Sequence, residues 1–449
     1  MTPATDPARP PFRRLAAPFR YARRRPGRAV LFLGGGLLAL ALVAAAGTWA
    51  WFDHHLSAAR REVGRGHNGT ARRHLDACHR LSYPHRELLI LSARVARRTG
   101  AWDDAEAALD RYSGRHGDDA DLVLERLLLR ATRGEIETAG PPLLARVVAG
   151  GPEARLAREA LVAGLVYRFR WAEADAVLAG WLAADPDDPI AVLLRGKLAE
   201  QRQNSEAAAR AYRRVVELDP EHDEARLRLT TLLLVNRFGA EALGHLEVLR
   251  GRMPNHPEVG VQWARALALE GRTAESRAAV AACLAAHPDY PPALAERGGF
   301  ALLDGDEAAA ERDLERAVSL APGDVAARAQ LALVLARAGK PAEAARRQAE
   351  VDKMKADGER VTALIEGPLQ ARPGDPEVPH EIAGIALRAG EVGEARRWYE
   401  AALRADPDHA PTHRVLAALH HELGNPALAA RHRALAQGAA RPKGGSGLP

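Results

Sequence analysis

The feature that most constrains the fold is a spacing of 34 residues that recurs along most of this 449-residue chain. Prolines stand at this spacing at positions 220, 254, 288 and 322. Proline lacks an amide hydrogen and clashes with the preceding helical turn, so each one should end a helix. A chain with such a period folds as a row of similar units that pack on their neighbours, without one common core.

Two small residues also recur in most units when the frame starts at residue 52. Glycine recurs at the fifteenth position, where a turn between two helices needs positive φ. Alanine recurs at the twentieth position, where two helices would cross most closely, and Ser276 is the one departure. Each unit is therefore predicted to be a helix-turn-helix pair. The glycines are Gly66, Gly100, Gly134, Gly271, Gly305, Gly339, Gly390 and Gly424, and the alanines are Ala71, Ala105, Ala139, Ala174, Ala208, Ala242, Ala310, Ala344, Ala395 and Ala429.

The unit at 189–222, PIAVLLRGKLAEQRQNSEAAARAYRRVVELDPEH, has Gly196, Ala208, Tyr212 and Pro220 at positions 8, 20, 24 and 32. This pattern resembles the tetratricopeptide repeat, a helix-turn-helix family. The resemblance implies an all-α fold, a right-handed α-solenoid of about eleven repeats. With 47% hydrophobic but only 5% aromatic residues, the composition suits closely packed helix pairs better than one large core.

The frame predicts an array of about nine repeats at 53–358 and two more at 376–437. Between them, the segment 359–375, ERVTALIEGPLQARPGD, is half a repeat long, and we expect either a spacer or an extension of the preceding helix, which is then overlong or kinked near Gly358. The solenoid should change direction there. Residues 438–449 are predicted to be a disordered tail. The C-terminal end also looks like long repeat proteins of planctomycete bacteria, a likeness that implies no activity.

Residues 29–52 carry no charge over 24 residues, which is long enough as a helix to cross a bilayer core of roughly 30 Å. The basic leader at 1–28 holds eight arginines against Asp6, so the positive-inside rule places it in the cytoplasm. A single-pass anchor in a bacterial inner membrane with periplasmic repeats follows. The alternative is a signal peptide cleaved after Ala44-Ala45-Ala46.

Charge and motifs argue against several functions. The whole chain carries +5 and the leader +7, so the repeats are nearly neutral and offer no basic surface for nucleic acid. No protease, hydrolase, nucleotide-binding or paired-cysteine motif occurs, and we expect no catalytic activity, cofactor or metal. His409 and His413 are four residues apart, as metal ligands on one helix can be, but Pro411 intervenes. Cys78 and Cys283 are predicted to be buried free thiols.

The tetratricopeptide resemblance implies that the first helices of successive repeats line a concave groove that binds a peptide. Three adjacent repeats then supply an apolar floor with one arginine, although the same leucines fit equally well as packing between neighbouring helices. A second candidate face lies at Arg94, Arg97 and Arg98. The candidate groove residues are Leu227, Thr231, Leu234, Val235, Val261, Arg265, Leu269, Leu302 and Leu303, with Ala268, Ala295 and Gly299 between them.

These features favour a non-catalytic, membrane-tethered scaffold that binds a protein or peptide in its groove, in envelope assembly or export. A second hypothesis is an accessory regulator of an enzyme that acts on envelope polysaccharide or peptidoglycan. In both hypotheses the partner is a protein, which the sequence leaves unidentified.

Overall fold

The computed structural model of the chain describes residues 26–81, 85–372 and 374–439, and all regular elements in these ranges are helices. The predicted leader, apart from its last three residues, and the predicted tail, apart from its first two, lie outside them. The helices are α1 Pro26–Arg65, α2 Asn68–His79, α3 Arg86–Arg98, α4 Trp102–His116, α5 Ala120–Thr132, α6 Ile136–Ala149, α7 Pro152–Tyr167, α8 Trp171–Ala184, α9 Pro189–Gln201, α10 Ser205–Leu218, α11 Asp223–Val235, α12 Gly239–Arg252, α13 Pro257–Leu269, α14 Thr273–Ala286, α15 Pro291–Asp304, α16 Glu307–Leu320, α17 Val325–Arg337, α18 Pro341–Glu366, α19 Pro368–Ala371, α20 Glu377–Arg388, α21 Val392–Ala405, α22 Ala410–Glu422 and α23 Pro426–Ala439.

The repeating helix pairs confirm the predicted all-α solenoid architecture. Helices α10, α12, α14 and α16 each end two residues before one of the spaced prolines. Each of the eight glycines at position 15 has φ between 73° and 88°, as a left-handed turn residue should. The residues at position 20 are buried, from 0% exposed at Ala208 to 8% at Ala344, and Ser276 is 1% exposed. These small side chains allow the two helices of a repeat to approach closely.

Three consecutive repeats place a larger residue at the glycine position of the turn. Phe169, Gln203 and Arg237 have φ values of 60°, 54° and 63° there. A side chain in this left-handed region costs about 1 kcal/mol relative to the ordinary helical region. Such a cost is tolerated where the surrounding structure or a use of the side chain holds the residue in place.

The described part of the chain divides into two compact units, residues 26–160 and 161–439, with the boundary inside α7. The first unit contains α1, within which Leu37–Arg65 includes a stretch long and apolar enough to cross a membrane. The side chains of α1 change character near residue 52: Val43 and Trp49 are 72% and 69% exposed, whereas Phe52 and Leu56 are 6% and 4% exposed. The latter two pack with α2 and α3 as the start of the first repeat.

In the second unit, the segment 359–375 is part of the packed structure. Helix α18 continues through Gly358 to Glu366, and the four-residue helix α19 follows after one residue. Leu364 and Leu369 are buried in a core cluster with Ile382 and Trp398 of the following repeat. The extended-helix form of the prediction therefore describes residues 359–366, and no break occurs at Gly358.

The two ends of the second unit contact each other. The Phe169 ring stacks on Trp398, with ring centroids 3.4 Å apart and an interplanar angle of 7°. The Arg397 guanidinium lies over Tyr167, 4.4 Å from its ring centroid. Nearby, the amide of Gln203 donates a hydrogen bond of 3.0 Å to Thr362 across 159 residues of sequence. Two of the three left-handed turn residues thus close the second unit on itself.

We predict that Phe169→Asn opens this closing contact without disturbing the turn, because asparagine tolerates the left-handed conformation. Loss of the half-buried ring and its stack should lower the free energy of unfolding by about 1 to 2 kcal/mol. Hydrogen exchange should accelerate in α21, whereas exchange in α13 stays unchanged. Equal acceleration in both helices, or in neither, would contradict the assignment.

Candidate functional site

A cavity of about 560 Å³ lies along α11, α13 and the start of α15, the first helices of three successive repeats. Of the predicted groove residues, Leu227, Leu302 and Leu303 do not line it. The lining residues are Thr231, Leu234, Val235, Arg237, Glu258, Val261, Gln262, Arg265, Ala268, Leu269, Tyr290, Pro292 and Glu296.

The apolar groove residues divide into exposed and buried sets. Val235 is 72% exposed, and Leu303, at the same position two repeats further along, is 77% exposed. Val261 and Leu302 are 2% and 8% exposed and belong to a hydrophobic core cluster, so their main role is packing. The sequence left Leu302 open between groove and packing; it is buried in the core, and Leu303 is the exposed residue of the pair. Leu227 and Leu234 are half-buried against the neighbouring core cluster.

Gln262 organises the polar part of the cavity wall. Its amide nitrogen donates to Thr231 Oγ1 at 2.9 Å and to Glu258 Oε1 at 3.0 Å, and its amide oxygen accepts from the Thr230 hydroxyl. The side chain is 4% exposed, so these bonds satisfy an amide that would otherwise be costly to bury. Gln262 therefore fixes the relative position of α11 and α13 at the cavity floor.

Most of the charged side chains along this row of first helices have partners. Arg265 Nε donates to Glu296 Oε1 at 2.6 Å across the cavity mouth. Two repeats earlier, Lys197 lies 2.6 Å from Glu224, and Arg228 donates to Glu200 at 2.8 Å. Burial alone would raise the pKa of Glu224, but Lys197 and Arg228 outweigh it and hold that pKa at about 2. The Glu224 carboxylate thus remains ionised, and the carboxylates of all three pairs have a cationic partner.

Arg237 is the exception among the charged residues of the cavity wall. It is exposed; its backbone N–H donates to the Leu234 carbonyl at 3.1 Å, but within the described ranges its guanidinium makes no hydrogen bond or ion pair. Its turn is fixed by Gly239, where an added Cβ would lie 2.9 Å from Leu269 Cβ and 2.5 Å from Glu270 Oε1. The start of α12 is therefore held against the end of α13, and Arg237 stands at the cavity edge. Positions on the first helix alone did not predict it; the missing glycine at position 15 is the sequence signal.

The second candidate face, at Arg94, Arg97 and Arg98, is mostly an internal ionic cluster of the first unit. Arg98 donates to both carboxylate oxygens of Glu159, at 2.7 and 2.6 Å, and Arg94 pairs with Glu125. Burial alone would raise the pKa of Glu159, but Arg98 and Arg97 outweigh it and lower that pKa to about 2. At pH values above the ordinary Glu pKa of 4.5, the pairing therefore contributes its full stabilisation to the fold. This stabilisation is lost as the pH falls toward 2 and Glu159 becomes protonated. These arginines serve packing, because their partners lie inside the protein.

The histidines and cysteines have structural contacts. His409 bonds Thr412 through Nδ1 and Glu377 through Nε2, and His413 Nδ1 lies 2.9 Å from His432 Nδ1. No group of metal-ligating side chains that could hold an ion occurs in the part of the chain that the structure describes. Cys78 and Cys283 are buried free thiols, each directed at the carbonyl oxygen of the first residue of its own repeat.

We predict opposite effects for two matched valine substitutions on adjacent first helices. Val235→Asn should change the free energy of unfolding by at most about 0.5 kcal/mol, because the side chain is in solvent. Val261→Asn should lower it by about 2 to 4 kcal/mol, because an amide would be buried without partners. Thermal denaturation of both variants checks this. Comparable losses would mean that Val235 is also a packing residue and that the groove is not open there.

Comparisons with known proteins agree with the helix-pair architecture. A sequence model of the tetratricopeptide repeat matches residues 191–222. Among solved structures, PilW, a type IV pilus biogenesis factor, is 18% identical over 45% of this chain and 94% of that chain, with a TM-score of 0.38. Human IFIT1, in a dimer with m7Gppp-AAAA, is 15% identical over 80% and 91%, with a TM-score of 0.40.

A tetratricopeptide repeat protein from Parabacteroides merdae is 19% identical, covers 64% of this chain and 99% of that one, and has a TM-score of 0.31. No curated protein sequence matches this chain. No ligand is carried over from these proteins. The family match at 191–222 lies inside the unit at 189–222, and it shows that this part of the chain is similar to a tetratricopeptide repeat.

Proposed function

We propose that this protein is a non-catalytic, membrane-tethered scaffold that binds an apolar protein segment in the groove formed by α11, α13 and α15. The observation that carries the proposal is the cavity on these three helices, with Val235 and Leu303 largely exposed on the same row. Apolar side chains in solvent are unfavourable unless a partner covers them, and their concentration beside a cavity marks a binding surface.

The size of the groove favours an extended segment as the ligand. Neighbouring packed helices lie about 8 to 10 Å apart, so three successive first helices span roughly 20 Å. An extended chain rises about 3.3 Å per residue, and about six residues therefore cross the groove. Such a segment would present alternate side chains to the floor at Leu234, Leu269 and Pro292.

The tether in this proposal is the exposed part of α1. Its side chains from Leu37 to Trp49 are mostly in solvent in the isolated chain, as expected of a surface that lies in lipid. The leader with eight arginines precedes it and favours a cytoplasmic N-terminus. The repeats would then lie outside the cytoplasm, where a role in envelope assembly or export is available. The second candidate, an accessory regulator of an envelope enzyme, differs only in that a folded enzyme supplies the bound segment.

For the topology, we predict that alkaline phosphatase fused after residue 437 is active and sediments with membranes. The enzyme needs an oxidising compartment to form its disulfides, so activity reports export. A matched fusion after Arg28 should be inactive. Activity of the fusion in the soluble fraction would support cleavage after Ala46, and inactivity of the fusion after residue 437 would overturn the orientation.

For the groove, we predict that a photoreactive amino acid at Leu303 crosslinks a protein in membranes of the native host. The same amino acid at Val248, an exposed apolar position on the second helix of its repeat, is the matched control and should not. Val235→Asn should reduce the Leu303 crosslink at least about fivefold, because it removes apolar contact area at the same groove. Equal crosslinking from Leu303 and Val248, or no effect of Val235→Asn, would place binding elsewhere.

A further inference from the structure

Arg237 stands at the edge of the cavity, and the role inferred for it rests on the proposed function of the groove. Arg237 is the third of the three consecutive turn residues that replace glycine with φ near 60°. Glycine at this position adopts the same conformation without strain in eight other repeats. A side chain kept there despite the strain points to a use for that side chain.

The first two members of the series show what that use is. Phe169 stacks on Trp398 and Gln203 bonds Thr362, so each side chain contacts a distant segment laid against the turn. Arg237 has no such segment to contact among the described residues, yet it lines the cavity. The position occupied by an internal partner in the preceding two repeats is therefore open beside Arg237.

The charges around Arg237 define the group that fits. Glu296 already accepts from Arg265, and Glu258 accepts from Gln262, so the other charged groups of the cavity wall have partners. A guanidinium beside apolar side chains binds a carboxylate through two parallel hydrogen bonds. A phosphate dianion is disfavoured, because it needs more than one cation and would lie near two carboxylates.

We propose that Arg237 selects the bound segment by pairing with one of its carboxylates. The partner is thus a protein segment with apolar side chains and an aspartate or glutamate placed at the α11–α12 turn. Val235, Leu234 and Leu269 hold the apolar side chains, and Arg237 fixes the register of the segment along the groove.

The test uses the full-length protein, purified in detergent and fluorescently labelled, on an array of 12-residue peptides. The peptides have leucine or valine at alternating positions, with one central position varied as Asp, Asn, Lys or phosphoserine. The wild type should bind the Asp peptides about tenfold more tightly than the matched Asn peptides, which corresponds to one charge-assisted hydrogen-bonded pair. The Lys peptides should bind more weakly than both.

Two variants of Arg237 separate recognition from folding. Arg237→Gly restores the residue found in most turns, so its melting temperature should stay within about 3 °C of the wild type while the preference for Asp over Asn disappears. Arg237→Lys should keep a reduced preference. The proposal is overturned if Arg237→Gly retains the full preference for Asp over Asn peptides. It is also overturned if the wild type prefers phosphoserine or Asn peptides.

The Val235→Asn variant distinguishes failure of this proposal from failure of the groove itself. If Val235→Asn weakens peptide binding but the wild type shows no preference for Asp peptides, only the role of Arg237 is overturned. If no peptide binds in a manner sensitive to Val235→Asn, the groove does not bind extended apolar segments, and both proposals are overturned.

Discussion

The structure depends on the close crossing of the two helices within each repeat. At position 20 the side chain is alanine or serine and almost fully buried, from Ala71 to Ala429. In the unit at 189–222 the approach is closer still, since an added Cβ at Gly196 would lie 2.6 Å from the Tyr212 ring. Small residues gain dispersion contacts with the facing backbone and need no large side chains to fill the space. This explains how a chain with 5% aromatic residues buries a continuous core.

Because the core is distributed in this way, the surfaces of the first helices are free to differ from repeat to repeat. Around α9 and α11 the row carries paired charges, such as Arg228 with Glu200. From α11 to α15 the first helices carry exposed valine and leucine beside the buried, hydrogen-bonded Gln262. Since stability is a sum over units and their interfaces, such local changes of surface chemistry have little effect on the remaining repeats. The groove can therefore be specialised without loss of the fold.

The periodic residues were sufficient to predict the helix pairs, because prolines, turn glycines and crossing alanines act through local backbone geometry. They also predicted Thr231, Leu234, Val235 and Arg265 on the cavity wall. Whether Leu302 faces the groove or packs was left open, because adjacent residues on a helix point about 100° apart and only the packing of α15 decides which one is buried. Arg237 and Phe169 were missed because their roles depend on contacts across the turn. The continuity of α18 through Gly358 was likewise left open, since glycine in a helix is tolerated at about 1 kcal/mol.

The contact between the ends of the second unit bears on how that unit assembles. In an open solenoid each repeat meets only its neighbours, and the array can lose structure from either terminus. Here Gln203 and Thr362 touch across 159 residues, so the entropy of ordering the intervening chain must be lost before this contact gains anything. We therefore expect the repeats between these two residues to form first and the contact itself to form last, because it joins the residues that are most distant in sequence. Once made, it leaves those repeats without a free end from which to fray.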